Sequence, residues 1–208
     1  MHGKLDLVKA KGLKKSEINQ LDRLLKQRIP ADKILTIELA EAVAEISNNL
    51  GHPLSLVVNR RGQVVNVTVG EPSAVKMPEL KGVRVGPGRL CGHRIIHTHI
   101  IRSRNNDNSS WNKHDIDNHI SKESLQCLAR NRLDLLAQIG VDPAAKFSRS
   151  KGEQANFADV IHIAHLMPGR DSEGKLWKVL PPSTVRKVQE DDFEHLISSL
   201  EDEFRKFA

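Results

Sequence analysis

No tyrosine occurs in the 208 residues, and aromatic side chains make up only 3% of the chain. Stacking of bases on exposed rings is therefore not the expected main way for it to hold nucleic acid. Cysteine is as sparse: Cys91 precedes a predicted strand, Cys127 sits in a predicted helix, and the two make neither a zinc-finger spacing nor a disulfide framework. A reduced compartment suits that usage. No run of about 18 apolar residues is present to span a bilayer, and the basic opening MHGKLDLVKAKGLKKSE lacks the apolar stretch of a signal peptide. A cytoplasmic protein without membrane contact is expected. A G-x-x-x-x-G-K-[ST] phosphate loop is missing too, because GVRVGPGRLCG has glycines but no Lys-Ser/Thr pair opening a helix.

What remains is an ordinary globular composition, 38% hydrophobic and 28% charged, long enough to bury a core. The net charge of +6 is unevenly spread. Residues 4–33 hold nine Lys/Arg against four Asp/Glu, and residues 60–94 hold seven against two, whereas 190–206 hold two against seven. Basic front segments and an acidic tail suit contact with RNA or another acidic surface, although solvated helix faces look the same in sequence.

Hydrophobic periodicity divides the chain into elements. In SEINQLDRLLKQRI (16–29) the residues Ile18, Leu21, Leu25 and Ile29 share a helical face, with Ser16 as the expected N-cap and Pro30 as the stop. A second helix is expected in TIELAEAVAEISNNLG, capped by Thr36 and closed by Gly51, with Leu39, Val43, Ile46 and Leu50 as its stripe. LSLVV (54–58) and VVNVTVG (64–70), joined by Asn59-Arg60-Arg61-Gly62, predict an antiparallel hairpin. After a Pro/Gly-punctuated link over 71–93, Arg94 to Ile101 is apolar on both faces and predicts a central strand. Residues 102–120 predict a mobile polar loop. Leu125 to Ile139 predicts a helix facing inward through Leu128, Leu135, Leu136 and Ile139 and ended by Gly140. VIHIAHL (160–166) and LWKVL (176–180) predict strands, and 190–206 predicts an amphipathic helix. This order implies an α/β fold with a mixed β-sheet flanked by helices. Three parts are expected: a helical segment over 1–35, the α/β domain over 36–185, and a connector helix over 186–208.

Chemistry concentrates in His97-Thr98-His99. Residues two apart on a strand share a face, so the two imidazoles project together as a metal pair requires. Zinc needs three or four donors, and Asp107, Asp115, Asp117, His114, His119, His162 and His165 are all candidates for a third. Two satisfied histidines on one strand would give the same pattern.

A strand-borne His-x-His followed by a helix-start Ser-x-x-Asp resembles the JAB/MPN (JAMM) zinc isopeptidases. That resemblance implies a JAB/MPN-like, cytidine-deaminase-like architecture. Three positions depart from the motif: Ile100 follows the second histidine in place of Pro, Ser124 stands where the Asp belongs, and His52-Pro53-Leu54 replaces the general-base Glu. The resemblance thus implies the fold and leaves a zinc-dependent JAMM-like hydrolase using His97 and His99 as the alternative reading of function.

A second resemblance spans nearly the whole chain. GLKKSEINQLDRLLKQRIP, IELAEAVAEISNNLGHPLSLVVNRRGQVVNVTVG, GPGRLCGHRIIHTH, ARNRLDLLAQIGV, AHLMPG and FEHLISSLEDEFRK are similar to the N-terminal extension of HflX-type GTP-binding proteins. It implies a non-enzymatic accessory domain that acts on ribosomes. Its partners would be a downstream GTPase domain and the large ribosomal subunit with its rRNA, while GTP and magnesium would belong to that downstream domain. Under this reading this chain carries no cofactor, zinc at His97 and His99 being the one candidate, and Arg60, Arg61 and Arg89 are the candidate RNA or partner contacts.

Overall fold

The computed structural model describes residues 4–6, 12–30, 33–70, 92–100, 120, 122–141, 158–168, 177–179, 183–186, 195 and 198–199. The link 71–91 with Arg89, the loop 102–119 and all but three residues of the expected helix 190–206 lie outside them.

Along the chain run β1 (Lys4–Asp6), α1 (Lys15–Leu25), α2 (Ile37–Leu50), β2 (Leu54–Val58), β3 (Val64–Val69), β4 (Arg94–Ile100), α3 (Lys122–Asn131), β5 (Leu135–Val141), β6 (Ala158–Pro168), β7 (Trp177–Val179) and β8 (Ser183–Arg186). The strands form one sheet in the order β1-β3-β2-β4-β5-β6-β7, with β8 also paired to β6. β1 with β3 and β4 with β5 run parallel, and the other pairs antiparallel. The mixed sheet flanked by helices is the expected α/β class, and β4 is central as its two apolar faces require. β1 and β8, three and four residues long, are too short to show a period in sequence.

Each sheet face has its own core. Leu54, Leu56, Val58, Ile96, Leu135, Ala137, Ile139, Ile161 and Ile163 point to the face covered by α1 and α2, where they meet Leu21, Leu24, Leu39, Val43 and Ala44. Residues of the other parity, Val57, Ile95, Leu136 and Ala164, meet Leu128 of α3 together with Ile120 and Leu133. Since α1 shares the first core with α2, segment 12–30 packs into the same layer as the rest.

Capping explains where the helices stop. Thr36 accepts the Leu39 N–H at 3.3 Å, and Gly51 ends α2 at φ 67°, with Gly51 N–H on Asn48 O (3.2 Å) and His52 N–H on Ser47 O (3.3 Å). Both caps are as expected from sequence. Two other boundaries are corrected. α1 begins after Lys14, whose N–H is held by Glu17 Oε2 at 2.7 Å, so Ser16 is not its cap. It also ends at Leu25 rather than Ile29, because the chain leaves the helix to pair with the hairpin end: Val64 N–H bonds Gln27 O (3.3 Å) and Ile29 N–H bonds Gly62 O (2.8 Å). Ile29 remains buried.

The larger correction concerns 125–139, expected as one helix. α3 stops at Asn131 and Leu135–Val141 is strand β5. Arg132 takes the left-handed conformation at φ 51°, its N–H bonds Ala129 O (3.2 Å), and Leu133 N–H reaches back to Leu128 O (3.0 Å). This is the double hydrogen bond of a Schellman stop, sealed by the buried Leu128 and Leu133. An arginine occupies the position where glycine would have announced it.

Candidate functional site

The hairpin end is built by Asn59, whose Oδ1 accepts from Arg61 N–H (2.9 Å) and Gln63 N–H (3.0 Å). Gly62 closes the turn at φ 74°, and a Cβ there would lie 2.1 Å from Ile29 O. Arg60 and Arg61 are exposed at this tip. Arg60 also lies over Gly92, where an added Cβ would sit 1.8 Å from its Nε, so part of its side chain serves packing. Beneath it, Gly92 N–H donates to Asp134 Oδ1 at 3.0 Å. Burial pushes the Asp134 carboxyl up, opposed by that hydrogen bond and by the charges of Arg94, Arg60 and His93. Arg94 Nη1 donates to Lys33 O (3.0 Å) and Ile34 O (2.7 Å), tying β4 to the segment before α2.

His97 and His99 project from β4 on the face that also carries Ile95 and α3. His97 lies between Ser55 on β2 and Gln138 on β5. Its Nε2 stands 3.0 Å from Gln138 Oε1, and because that oxygen only accepts, Nε2 carries the proton and Nδ1 is the bare nitrogen of the neutral ring. Burial pulls the His97 pKa down; the Gln138 bond opposes this and the neighbouring His99 adds to it. His99 is more exposed and is lowered by partial desolvation of its ring.

The register extends His97 into a rank. Thr68, Ser55, His97, Gln138, His162 and Thr184 occupy successive strands β3, β2, β4, β5, β6 and β8 at one level. It lies two residues, about 6.7 Å, beyond the apolar level Val57, Ile95, Leu136 and Ala164, toward the carboxyl ends of the parallel pair β4 and β5. Ser55, Thr68 and His162 are buried. Thr68 Oγ1 donates to Asn66 Oδ1 at 2.8 Å, while Ser55 Oγ and Asn66 Nδ2, each on a residue 1% exposed, have no hydrogen-bond partner. Sequence reasoning named His97, His99 and His162 and missed Ser55, Asn66, Thr68 and Gln138. The available signal was one or two polar residues interrupting each apolar strand, in LSLVV, VVNVTV, LLAQIGV and VIHIAHL.

Among the described residues no group of three or more His, Cys, Asp or Glu is placed to hold a metal ion. His162 is two strands from His97, about 9.5 Å across the sheet. Asp107, His114, Asp115, Asp117 and His119 lie outside the described residues.

Thr98, between the two histidines, points to the opposite face and is 1% exposed. Leu54 N–H donates to its Oγ1 at 2.8 Å, and its hydroxyl is 2.7 Å from Ser47 Oγ, which is 2.8 Å from His52 O. The carbonyl only accepts, so Ser47 spends its proton there and Thr98 must donate to Ser47. The chain of bonds is therefore directional, and it fastens the C-terminal end of α2 and the start of β2 to β4.

No family model matches the chain, and no curated protein and no solved structure matches it. Fold and site together define an α/β protein with a mixed sheet, a buried polar rank on one face and a hydroxyl relay on the other. No helix among the described residues is long and apolar enough to cross a membrane.

Proposed function

We propose that this chain is a non-enzymatic accessory domain of an HflX-type GTP-binding protein, with a JAB/MPN-like core, that acts in the cytoplasm on the large ribosomal subunit. The observation that carries the reading is the resemblance along nearly the whole chain, joined to the lack of a phosphate loop in the sequence. The structure supports it by the role it gives the most specific segments. NRRGQVVNVTVG forms the hairpin tip and β3, and RNRLDLLAQIGV forms the arginine stop of α3 and the buried strand β5. His97 is engaged with Gln138, and Thr98 is a structural pin. The histidine strand thus serves the scaffold, which suits a domain that binds and positions.

The test is co-sedimentation of the purified chain with large ribosomal subunits at low and high salt. Association that weakens with salt supports the reading, and no association at any salt refutes it. The zinc hydrolase keeps one observation in its favour, the shared face of His97 and His99. Elemental analysis beside a His97→Ala/His99→Ala variant decides it: near-stoichiometric zinc that the variant loses would favour the hydrolase.

A further inference from the structure

Two basic segments meet at one end of the sheet. Residues 23–30 (RLLKQRIP) contain three Lys/Arg and no acid, and residues 54–70, the whole hairpin, contain two and no acid. The backbone joins them through the bridge Arg28↔Gln63, the Ile29 N–H bond to Gly62 O, and Arg28 Nε donating to Arg61 O at 3.2 Å. Arg23, Lys26, Arg28, Arg60 and Arg61 are all exposed. Acidic side chains on the adjoining described elements are Glu17 and Asp22 of α1, Glu38, Glu41 and Glu45 of α2, and Asp134, whose Oδ1 is engaged by Gly92 N–H. Ordinary solvated faces mix the two signs; segments 23–30 and 54–70 do not.

We infer that this end, Arg23, Lys26, Arg28 and Arg61 with Arg60 behind them, is a docking surface for the phosphate backbone of double-stranded RNA. The choice of RNA rests on the ribosome reading above. Four of the five cations are arginines, whose planar fork matches phosphate oxygens. Of the seven exposed residues in 26–30 and 59–63, only Pro30 is apolar, so the surface lacks the apolar centre of a protein interface. None is aromatic, which favours a duplex held by its backbone over a single strand held by stacking. The bridge and the Arg28 bond fix Arg28 and the Arg60-Arg61 tip relative to one another before the ligand arrives, which lowers the ordering cost of binding.

The experiment measures binding of the full chain to a fluorescent RNA duplex of about two helical turns by anisotropy across salt concentrations. Four phosphate contacts give a log–log slope of roughly −3 to −4, a loss of about a hundredfold between 50 and 200 mM salt. The triple variant Arg23→Gln/Lys26→Gln/Arg61→Gln spares Arg28, whose side chain braces the tip. It is expected to lower the slope by about three and weaken binding at least about tenfold. The charge-matched control Lys14→Gln/Lys15→Gln/Arg130→Gln changes exposed cations elsewhere and is expected to bind like the parent. Three results would overturn the inference: no duplex binding by the parent at 50 mM salt, an unaffected triple variant, or an equal loss in the control. Co-sedimentation separates this failure from failure of the ribosome reading. A triple variant that still pellets with large subunits removes the surface and keeps the ribosome, whereas a parent that binds duplex through this end yet never pellets does the reverse.

Discussion

Thr98→Val removes one hydroxyl, keeps the side-chain volume, and acts on the relay between α2, β2 and β4. Its first effect is to strand the buried Leu54 N–H, which has Thr98 Oγ1 at 2.8 Å as its acceptor; an unsatisfied buried donor costs about 1–3 kcal/mol. Its second is to take from Ser47 Oγ the proton it accepts at 2.7 Å, a net loss of about 1 kcal/mol. Valine fills the same space, so no cavity term is added. The sum is about 2–4 kcal/mol, and at 2–4 °C per kcal/mol for a chain of this size the melting temperature should fall by roughly 4–16 °C. Urea titration followed by circular dichroism measures the shift in midpoint at unchanged slope. Ser47→Ala in the same background closes a double-mutant cycle, and because the two hydroxyls share one directed bond, the coupling should reach about 1 kcal/mol. A Thr98→Val loss below about 0.5 kcal/mol, or additive singles, would refute the relay.

The remaining expectations concern the hairpin tip and the polar rank. Gly62→Ala meets both a φ of 74° and the Ile29 carbonyl 2.1 Å from the new Cβ; a loss above about 2 kcal/mol is expected in thermal melts, and a neutral substitution would show that the tip does not hold Ile29 as described. Ser55→Ala deletes a buried hydroxyl without a partner, so stability should stay level or rise; a loss above about 1 kcal/mol would reveal a hydrogen bond at that atom. His97 has its pKa lowered from 6.5 by burial, so the unfolded chain binds more protons than the folded one as pH falls below that value. The stability present above about pH 6.5 is therefore lost on acidification toward the lowered value. His97→Gln should flatten the stability curve between about pH 7 and 5, where His99, shifted the same way, still contributes in both proteins. An unchanged curve would mean that His97 is not held neutral.

Much of the architecture was legible because its signals are local. Thr36 and Gly51 bracket α2, and Asn59 to Gly62 announces a hairpin by turn chemistry alone. Reading 125–139 as one helix failed because Leu128, Leu135, Leu136 and Ile139 also satisfy a helical period, and the stop rests on an arginine in a conformation that glycine usually takes. Once β5 was taken for helix, Gln138 could not be placed beside His97. The short strands β1 and β8 left no local trace either, since their partners lie twenty or more residues away in sequence and only pairing defines them.

The candidate site was legible as residues but not as an arrangement. His97-Thr98-His99 reads as one motif, yet alternation splits it between two faces. Thr98 enters the relay under α2, and His97 joins a level defined by Ser55, Gln138 and His162 from three other strands, while His99 lies two residues farther along β4 beside Gly140. Which residues share that level depends on strand register, a long-range property that no local spacing encodes. The split also constrains how the motif can be altered. A change at Thr98 acts on the fold through Leu54 N–H, whereas a change at His97 or His99 leaves that relay intact, and the change at His97 acts on the rank through Gln138. Substituting the two histidines therefore probes ligand or metal chemistry with the Thr98 relay left in place, and His97→Gln beside it measures what the Gln138 bond contributes to folding.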